Sequence, residues 1–127
     1  MAAGQKKNVV IVEDNDLNLK LFRDLLQQNG YGVEDTKDGR QALALIQQAK
    51  PDLVIMDIQL HGVSGFDLIR QIKADPELKV IPVIAVTAFA MKDDKARILA
   101  SGCEAYVSKP IAIQDFLQTV SQFLRQG

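Results

Sequence analysis

Long apolar runs, charge excesses and cysteines are scarce in this sequence, and each scarcity narrows what it can be. No apolar run approaches the roughly 20 residues that a membrane-spanning helix needs. Lys and Arg total 15 against 16 Asp and Glu, for a net charge of −1. The basic surplus expected of a general nucleic-acid binder is therefore absent. The one cysteine, Cys103, excludes an intrachain disulfide and fits a reducing, cytoplasmic setting. Residues 1–7 are short and polar, unlike a signal peptide. No internal repeat, low-complexity tract or linker interrupts the 127 residues, a length suited to one compact domain. The chain stops soon after its last helical pattern, so a single domain over 1–127 with no output domain is expected.

What is present is a core. The sequence is 47% hydrophobic, enough to fold rather than remain disordered. Continuous apolar runs lie at 9–12, 53–56 and 83–86. A strand reads this way when both of its faces are covered, as inside a parallel sheet. Mixed runs at 31–35 and 104–107 suit the sheet edges. Helical patterns fill the gaps. The first, 15–29, carries Leu17, Leu21, Leu25 and Leu26, with Gly30 after it as a C-terminal cap. A second covers 39–49 and stops before Pro51. A third starts near Ser64, with Asp67 completing an approximate capping box, and ends near Asp75-Pro76. A fourth, 91–101, has a thin stripe of Ala96, Ile98 and Leu99, which makes it the least firmly anchored. The last places Ile113, Phe116, Leu117, Val120, Phe123 and Leu124 on one face. Strict alternation of strand and helix predicts an α/β fold: a flavodoxin-like (βα)5 doubly wound parallel sheet with strand order 2-1-3-4-5.

Ligands of such sheets bind beyond the carboxyl ends of the strands. Glu13 and Asp14 follow the first strand, Asp57 the third, Thr87 the fourth, and Lys109, after Ser108, the fifth. An acidic pair, a lone carboxylate, a hydroxyl and an ammonium should thus share one rim. Carboxylates about 4 Å apart repel by about 4 kcal/mol per pair at an effective dielectric near 20. A cation offsets this. All-oxygen ligands indicate Mg²⁺ or Ca²⁺, and few protein ligands beside a phosphate favour Mg²⁺. A carboxylate can attack a phosphoryl group to give an aspartyl phosphate. That transfer needs chiefly charge neutralisation and alignment, to which Lys109 brings its charge and the Thr87 hydroxyl a hydrogen bond.

Rival chemistries fail on specific residues. No Gly-rich phosphate loop or dinucleotide fingerprint is present. The loop after the first strand reads Glu13-Asp14-Asn15-Asp16 and would repel a flavin phosphate unless a metal intervened. Asp-based phosphohydrolases often carry a second Asp two residues after the nucleophile. That position is Gln59 here, which cannot titrate and favours a long-lived phosphorylated state.

In order and spacing, four segments are similar to one family: Val10-Ile11-Val12-Glu13-Asp14-Asn15, Met56-Asp57-Ile58-Gln59-Leu60 with Gly65 downstream, Val86-Thr87-Ala88, and Ser108-Lys109-Pro110. Over essentially its whole length the sequence resembles the receiver domains of bacterial two-component response regulators. Asp57-Ile58-Gln59-Leu60, Thr87-Ala88-Phe89-Ala90-Met91 and Cys103-Glu104-Ala105-Tyr106 carry a nearer likeness to single-domain receivers of alphaproteobacterial cell division.

The resemblance implies that Asp57 is the phosphoacceptor. It implies that Asp14, Asp57 and the Gln59 backbone carbonyl hold Mg²⁺, with Glu13 acting through a water. Thr87 and Lys109 would contact the phosphoryl group, Tyr106 would be the rotameric switch, and Lys109-Pro110 would be cis. The implied partners are histidine kinases and a protein target. The alternatives are a relay to a histidine phosphotransfer protein and, in another class, a Mg²⁺-dependent phosphohydrolase. A monomer or weak dimer, cytoplasmic and recruited to a cell pole by a partner, is the implied setting. His61 departs from the pattern, standing where the family usually has Pro.

Two consequences are expected. Movement of Thr87 towards the phosphoryl group vacates space for Tyr106 and repacks the face of the fourth helix, fifth strand and fifth helix. Gln59 and Phe89, each two residues beyond a site residue, flank the phosphoryl group, and bulky Phe89 limits attack by water. Simpler roles compete at several positions. Asp14 could cap the first helix. Tyr106 could be an edge-strand aromatic, Cys103 a small packed residue, and His61 a solvated loop residue. Lys92, Asp93, Asp94 and Lys95 read as a solvated helix face.

Overall fold

The three continuous apolar runs become strands covered on both sides. The computed structural model describes residues 7–88 and 92–124, with the side chains of 92–94 outside the description. Its elements are β1 (Asn8–Val12), α1 (Asp16–Gln28), β2 (Gly32–Thr36), a 3-10 turn (Gly39–Gln41), α2 (Ala42–Ala49), β3 (Leu53–Asp57), α3 (Gly65–Ala74), β4 (Val83–Thr87), α4 (Lys92–Ala100), β5 (Ala105–Ser108) and α5 (Ile113–Leu124). All five strands pair in parallel in the order β2-β1-β3-β4-β5. This is the doubly wound, flavodoxin-like architecture expected from the alternating pattern.

Within each run, successive side chains face opposite cores because strand side chains alternate. Val10, Val12, Val54, Met56, Val83 and Ala85 pack with Ile46, Ile69, Ile72 and Ile98 of α2, α3 and α4. Val9, Ile11, Leu53, Ile55, Ile84 and Val86 pack with Phe22, Leu26, Phe116 and Val120 of α1 and α5. The Phe22 and Phe116 rings lie 5.0 Å apart and tie those two helices together. Each fully buried large side chain contributes roughly 1.5–3 kcal/mol through lost apolar exposure.

Several helix details differ from the sequence pattern. In α1 the buried residues are Leu19, Phe22 and Leu26, whereas Leu17 is 80% exposed and Leu21 and Leu25 are half-buried. In α5, Ile113 is also exposed. Both misplaced residues sit in a first helical turn. A 13-residue helix is about 20 Å long, and a five-residue strand spans about 17 Å, so a first turn overhangs the sheet it packs on. The Ser64 side chain makes no capping hydrogen bond, and Asp67 pairs instead with Arg70 at 3.0 Å. The first turn of the second helical pattern tightens into the 3-10 turn. In α4 only Ile98 is buried among the described side chains, with Ala96 and Leu99 exposed. The edge strands start one residue later than the patterns indicate, at Gly32 and Ala105.

One network fastens the sheet end remote from the strand C-termini. Lys73 Nζ donates to Ile81 O at 2.8 Å, Lys79 O at 3.2 Å and Glu104 Oε2 at 2.9 Å. Glu104 Oε1 accepts the Val83 N–H at 2.7 Å, and the Glu104 N–H donates to Val83 O at 2.9 Å. The starts of β4 and β5 and the end of α3 are thereby joined.

Candidate functional site

The paired strands β1 and β3 set the spacing of the acidic groups. Val12 lies opposite Met56, so the residues that follow, Glu13 and Asp57, emerge side by side at one rim. Both are almost fully buried, as is Thr87 at the end of β4. Backbone bonds fix the end of β3: Ile58 N–H donates to Val86 O at 3.0 Å, and Gln59 N–H donates to Asp57 Oδ1 at 2.9 Å. Helix α3 begins unusually close to this strand end. A Cβ on Gly65 would lie 2.4 Å from Asp57 O and 2.5 Å from Ile58 Cα. Only glycine admits that approach, and the Gly65 N–H donates to Ile58 O at 3.1 Å.

Electrostatics at the rim are those of an acidic cluster answered by one cation. Glu13, Asp14 and Asp57 offer oxygens within 4.8 Å of one another. Lys109 Nζ lies 3.2 Å from Asp57 Oδ2 and 3.3 Å from Glu13 Oε1. Burial pulls the Lys109 pKa down, but the charges of Asp57 and Glu13 outweigh it and the net shift is upward. Burial, then hydrogen bonding to and repulsion by Asp57, push the Glu13 carboxyl from 4.5 up to about 7, against the Asn15 N–H and Lys109. Burial also pushes Asp14 up. The His61 backbone N–H and ring overcome this and hold it below the usual carboxylate range.

A pH dependence follows. With a folded pKa of about 7 and an ordinary value of 4.5, Glu13 keeps a proton in the folded chain that the unfolded chain has released. Its contribution to stability is fully present below the lower value and is lost as pH rises through the upper one. In EDTA-treated protein, urea denaturation should show stability falling by a few kcal/mol across that window, and Glu13→Gln should flatten the slope. A parent profile already flat over that range would contradict this account.

The donor set fits a hard divalent cation. Among the described residues, Glu13 Oε1 is buried and accepts no hydrogen bond of good geometry, and its charged neighbour is the Lys109 ammonium at 3.3 Å. The one ammonium, shared by Glu13 and Asp57, leaves the cluster of three carboxylates acidic, and an all-oxygen set suits Mg²⁺ or Ca²⁺. Asp14, Asp57 and the Gln59 carbonyl could ligate such an ion, with Glu13 reaching it through water.

The other expected residues are distributed as follows. Thr87 pairs in register with Ser108, and its carbonyl accepts the Lys109 N–H at 2.7 Å. Lys109-Pro110 is cis. The Gln59 side chain reaches across to the β4–α4 loop, its Oε1 accepting the Ala88 N–H at 3.0 Å. Tyr106 is half-buried, packs against the core under α2, α3 and α4, and borders an open groove of about 320 Å³ beside Pro110, Asp115 and Thr119. Phe89 lies outside the described residues, as do the side chains of Lys92, Asp93 and Asp94. The cap of α1 is Asn15, whose Oδ1 accepts the Asn18 N–H at 3.0 Å, so Asp14 does not fill that role. His61 is not merely solvated: its backbone N–H and its Nδ1 both meet Asp14 Oδ2, at 2.9 and 2.6 Å. Sequence reasoning missed that contact and the close approach at Gly65. The glycine eight positions after Asp57 was the available signal for the second.

Comparison with known proteins agrees with this geometry. The profile of the response regulator receiver domain matches residues 9–121. The polar-differentiation response regulators DivK of Brucella anthropi and Brucella melitensis are each 54% identical over 118 residues, covering 93% of this chain and 96% of theirs. The chemotaxis response regulator CheY4 of Vibrio cholerae superposes with a TM-score of 0.87 at 27% identity, covering 94% of this chain and 99% of its own. A sensor histidine kinase receiver domain from Pseudomonas aeruginosa, solved with a magnesium ion coordinated in its active site cleft, gives a TM-score of 0.87 at 27% identity. That match covers 96% of this chain and 100% of the other. Strand order, acidic rim and sequence identity lead to one placement: this chain belongs to the family of response regulator receiver domains, the signalling switches of two-component systems.

Proposed function

We propose that Asp57 accepts a phosphoryl group from the phosphohistidine of a histidine kinase, and that the modified chain signals through protein contacts. The observation that carries this reading is Lys109 Nζ set between Asp57 Oδ2 and Glu13 Oε1 at 3.2 and 3.3 Å. A carboxylate oxygen attacks phosphorus, the donor imidazole leaves, and Lys109 is placed to meet the charge on the transferred oxygens. Thr87, at the end of the neighbouring strand, donates its hydroxyl to one of them. When bound by Asp14, Asp57 and the Gln59 carbonyl, with Glu13 reaching it through a water, Mg²⁺ supplies further charge neutralisation. The Gln59 amide cannot act as acid or base, and its oxygen is engaged by Ala88. Both features favour a persistent aspartyl phosphate over the turnover of a phosphohydrolase.

Thr87 then moves towards the phosphoryl group, Tyr106 follows inward, and the surface of α4, β5 and α5 repacks. Among the described side chains of α4 only Ile98 is buried, which makes that helix the element that yields. Taking such a switch from 1:99 to 99:1 requires about 5.5 kcal/mol, within reach of a few charge-assisted hydrogen bonds of roughly 1.5–3 kcal/mol each. The likeness to polar-differentiation regulators supports a role in cell division or polarity. The setting proposed is the cytoplasm, with partner proteins supplying any polar recruitment. Among the described residues no helix is long and apolar enough to cross a membrane.

The test is incubation with acetyl phosphate and Mg²⁺, followed by intact mass spectrometry and phosphate release. The expected result is one phosphoryl group per chain, slow decay, and no label when EDTA is present. Rapid multiple turnover would overturn the switch reading in favour of hydrolysis.

A further inference from the structure

We propose that His61 is a positioning residue for Asp14, clamping one oxygen of that carboxylate so that an ion can be bound without first ordering it. The assignment rests on the metal reading of the site given above. Two donors from one residue converge on Asp14 Oδ2: the His61 backbone N–H at 2.9 Å and the ring Nδ1 at 2.6 Å. The residues lie 47 positions apart, so the contact joins the loop after β1 to the loop after β3 across the rim. Packing does not place the ring there, because the His61 side chain is 96% exposed while that of Asp14 is 17% exposed. With Asp14 ionised, Nδ1 carries the proton and Nε2 faces outward.

The ring does not join the ligand set itself. Among the described His, Cys, Asp and Glu side chains, the group whose donor atoms all lie within 4.8 Å of one another is Glu13, Asp14 and Asp57. His61 therefore acts through Asp14. With Oδ2 held twice, the carboxylate loses torsional freedom before any ion arrives, and its other oxygen remains for coordination. Partners of this outer kind change metal affinity by about 10–100-fold when removed. A proline at position 61 has no backbone N–H and no ring nitrogen, so it supplies neither donor.

The experiment is Mg²⁺ titration by calorimetry on the parent, His61→Ala, His61→Pro and His61→Asn, with melting curves in EDTA alongside. His61→Ala keeps the backbone donor and should bind Mg²⁺ about 10-fold more weakly. His61→Pro should be weaker again. His61→Asn places an amide N–H where Nδ1 stands and should recover most of the affinity. Melting in EDTA should fall only slightly in His61→Ala, and further in His61→Pro, which loses both bonds to Asp14. Equal or tighter binding by both His61→Ala and His61→Pro overturns the clamp. Weakening in His61→Pro alone overturns the part given to the ring. A parent that binds no Mg²⁺ removes the metal reading itself, an outcome distinct from either.

Discussion

Asp57→Asn is expected to lose all covalent labelling by acetyl phosphate, at least 100-fold, and at the same time to become more stable in metal-free buffer. The loss follows from the proposed role, since an amide cannot form the acyl phosphate. The gain follows from charge. Three carboxylates lie within 4.8 Å of one another, and Asp57 is buried. At an effective dielectric near 20 each close pair costs about 3–4 kcal/mol when ionised, and with Glu13 partly protonated at neutral pH the cost falls chiefly between Asp14 and Asp57. Part of that cost is offset by Lys109 at 3.2 Å. Asn keeps the oxygen that accepts the Gln59 N–H at 2.9 Å, and Lys109 keeps Glu13 at 3.3 Å. The net gain should be about 1–3 kcal/mol at neutral pH, a stability given up for function. Urea denaturation in EDTA measures it. Saturating Mg²⁺ should shrink or reverse the difference, because an ion held by the parent stabilises it by mass action. A variant less stable than the parent without metal would show that the cluster is not under repulsion.

Gly65→Ala carries the second large effect. Its new Cβ would stand 2.4 Å from Asp57 O and 2.5 Å from Ile58 Cα, both backbone atoms that cannot turn aside. Either α3 backs away or the end of β3 shifts, and the second displaces the acceptor. A loss of about 3 kcal/mol is expected, at the upper end for overpacking, with phosphorylation slowed at least about 10-fold, as misplacement of reacting groups does. Gly32→Ala is the matched control. Its nearest atom, at 2.3 Å, belongs to the end of the Asn8 side chain, which can rotate away. It should lose less than about 1 kcal/mol. Equal losses in the two variants would mean that close approach at Gly65 is not what the site depends on.

The acidic rim with its lysine was readable from the chain because parallel strands deliver their last residues to one edge whatever the loops do. Glu13, Asp57, Thr87 and Lys109 needed only strand placement. Helix faces were less readable at their first turns: Leu17 and Ile113 keep the apolar spacing yet remain 80% and 48% exposed. Ser64 and Asp67 satisfy a local capping pattern, but the glycine-tight start of α3 leaves the serine side chain out of it. The contact of His61 with Asp14 was beyond sequence reasoning for a different reason. It is made by two loops distant in the chain, and no periodicity records which loop atoms meet.

The fastening of Lys73, Glu104 and Val83 has a mechanical consequence. With their starts stapled to α3, β4 and β5 resemble cantilevers clamped at one end and loaded at the tip. Under the proposed switch, a push applied at Thr87 or Lys109 would meet least resistance at those tips and most at the root held by Lys73 and Glu104.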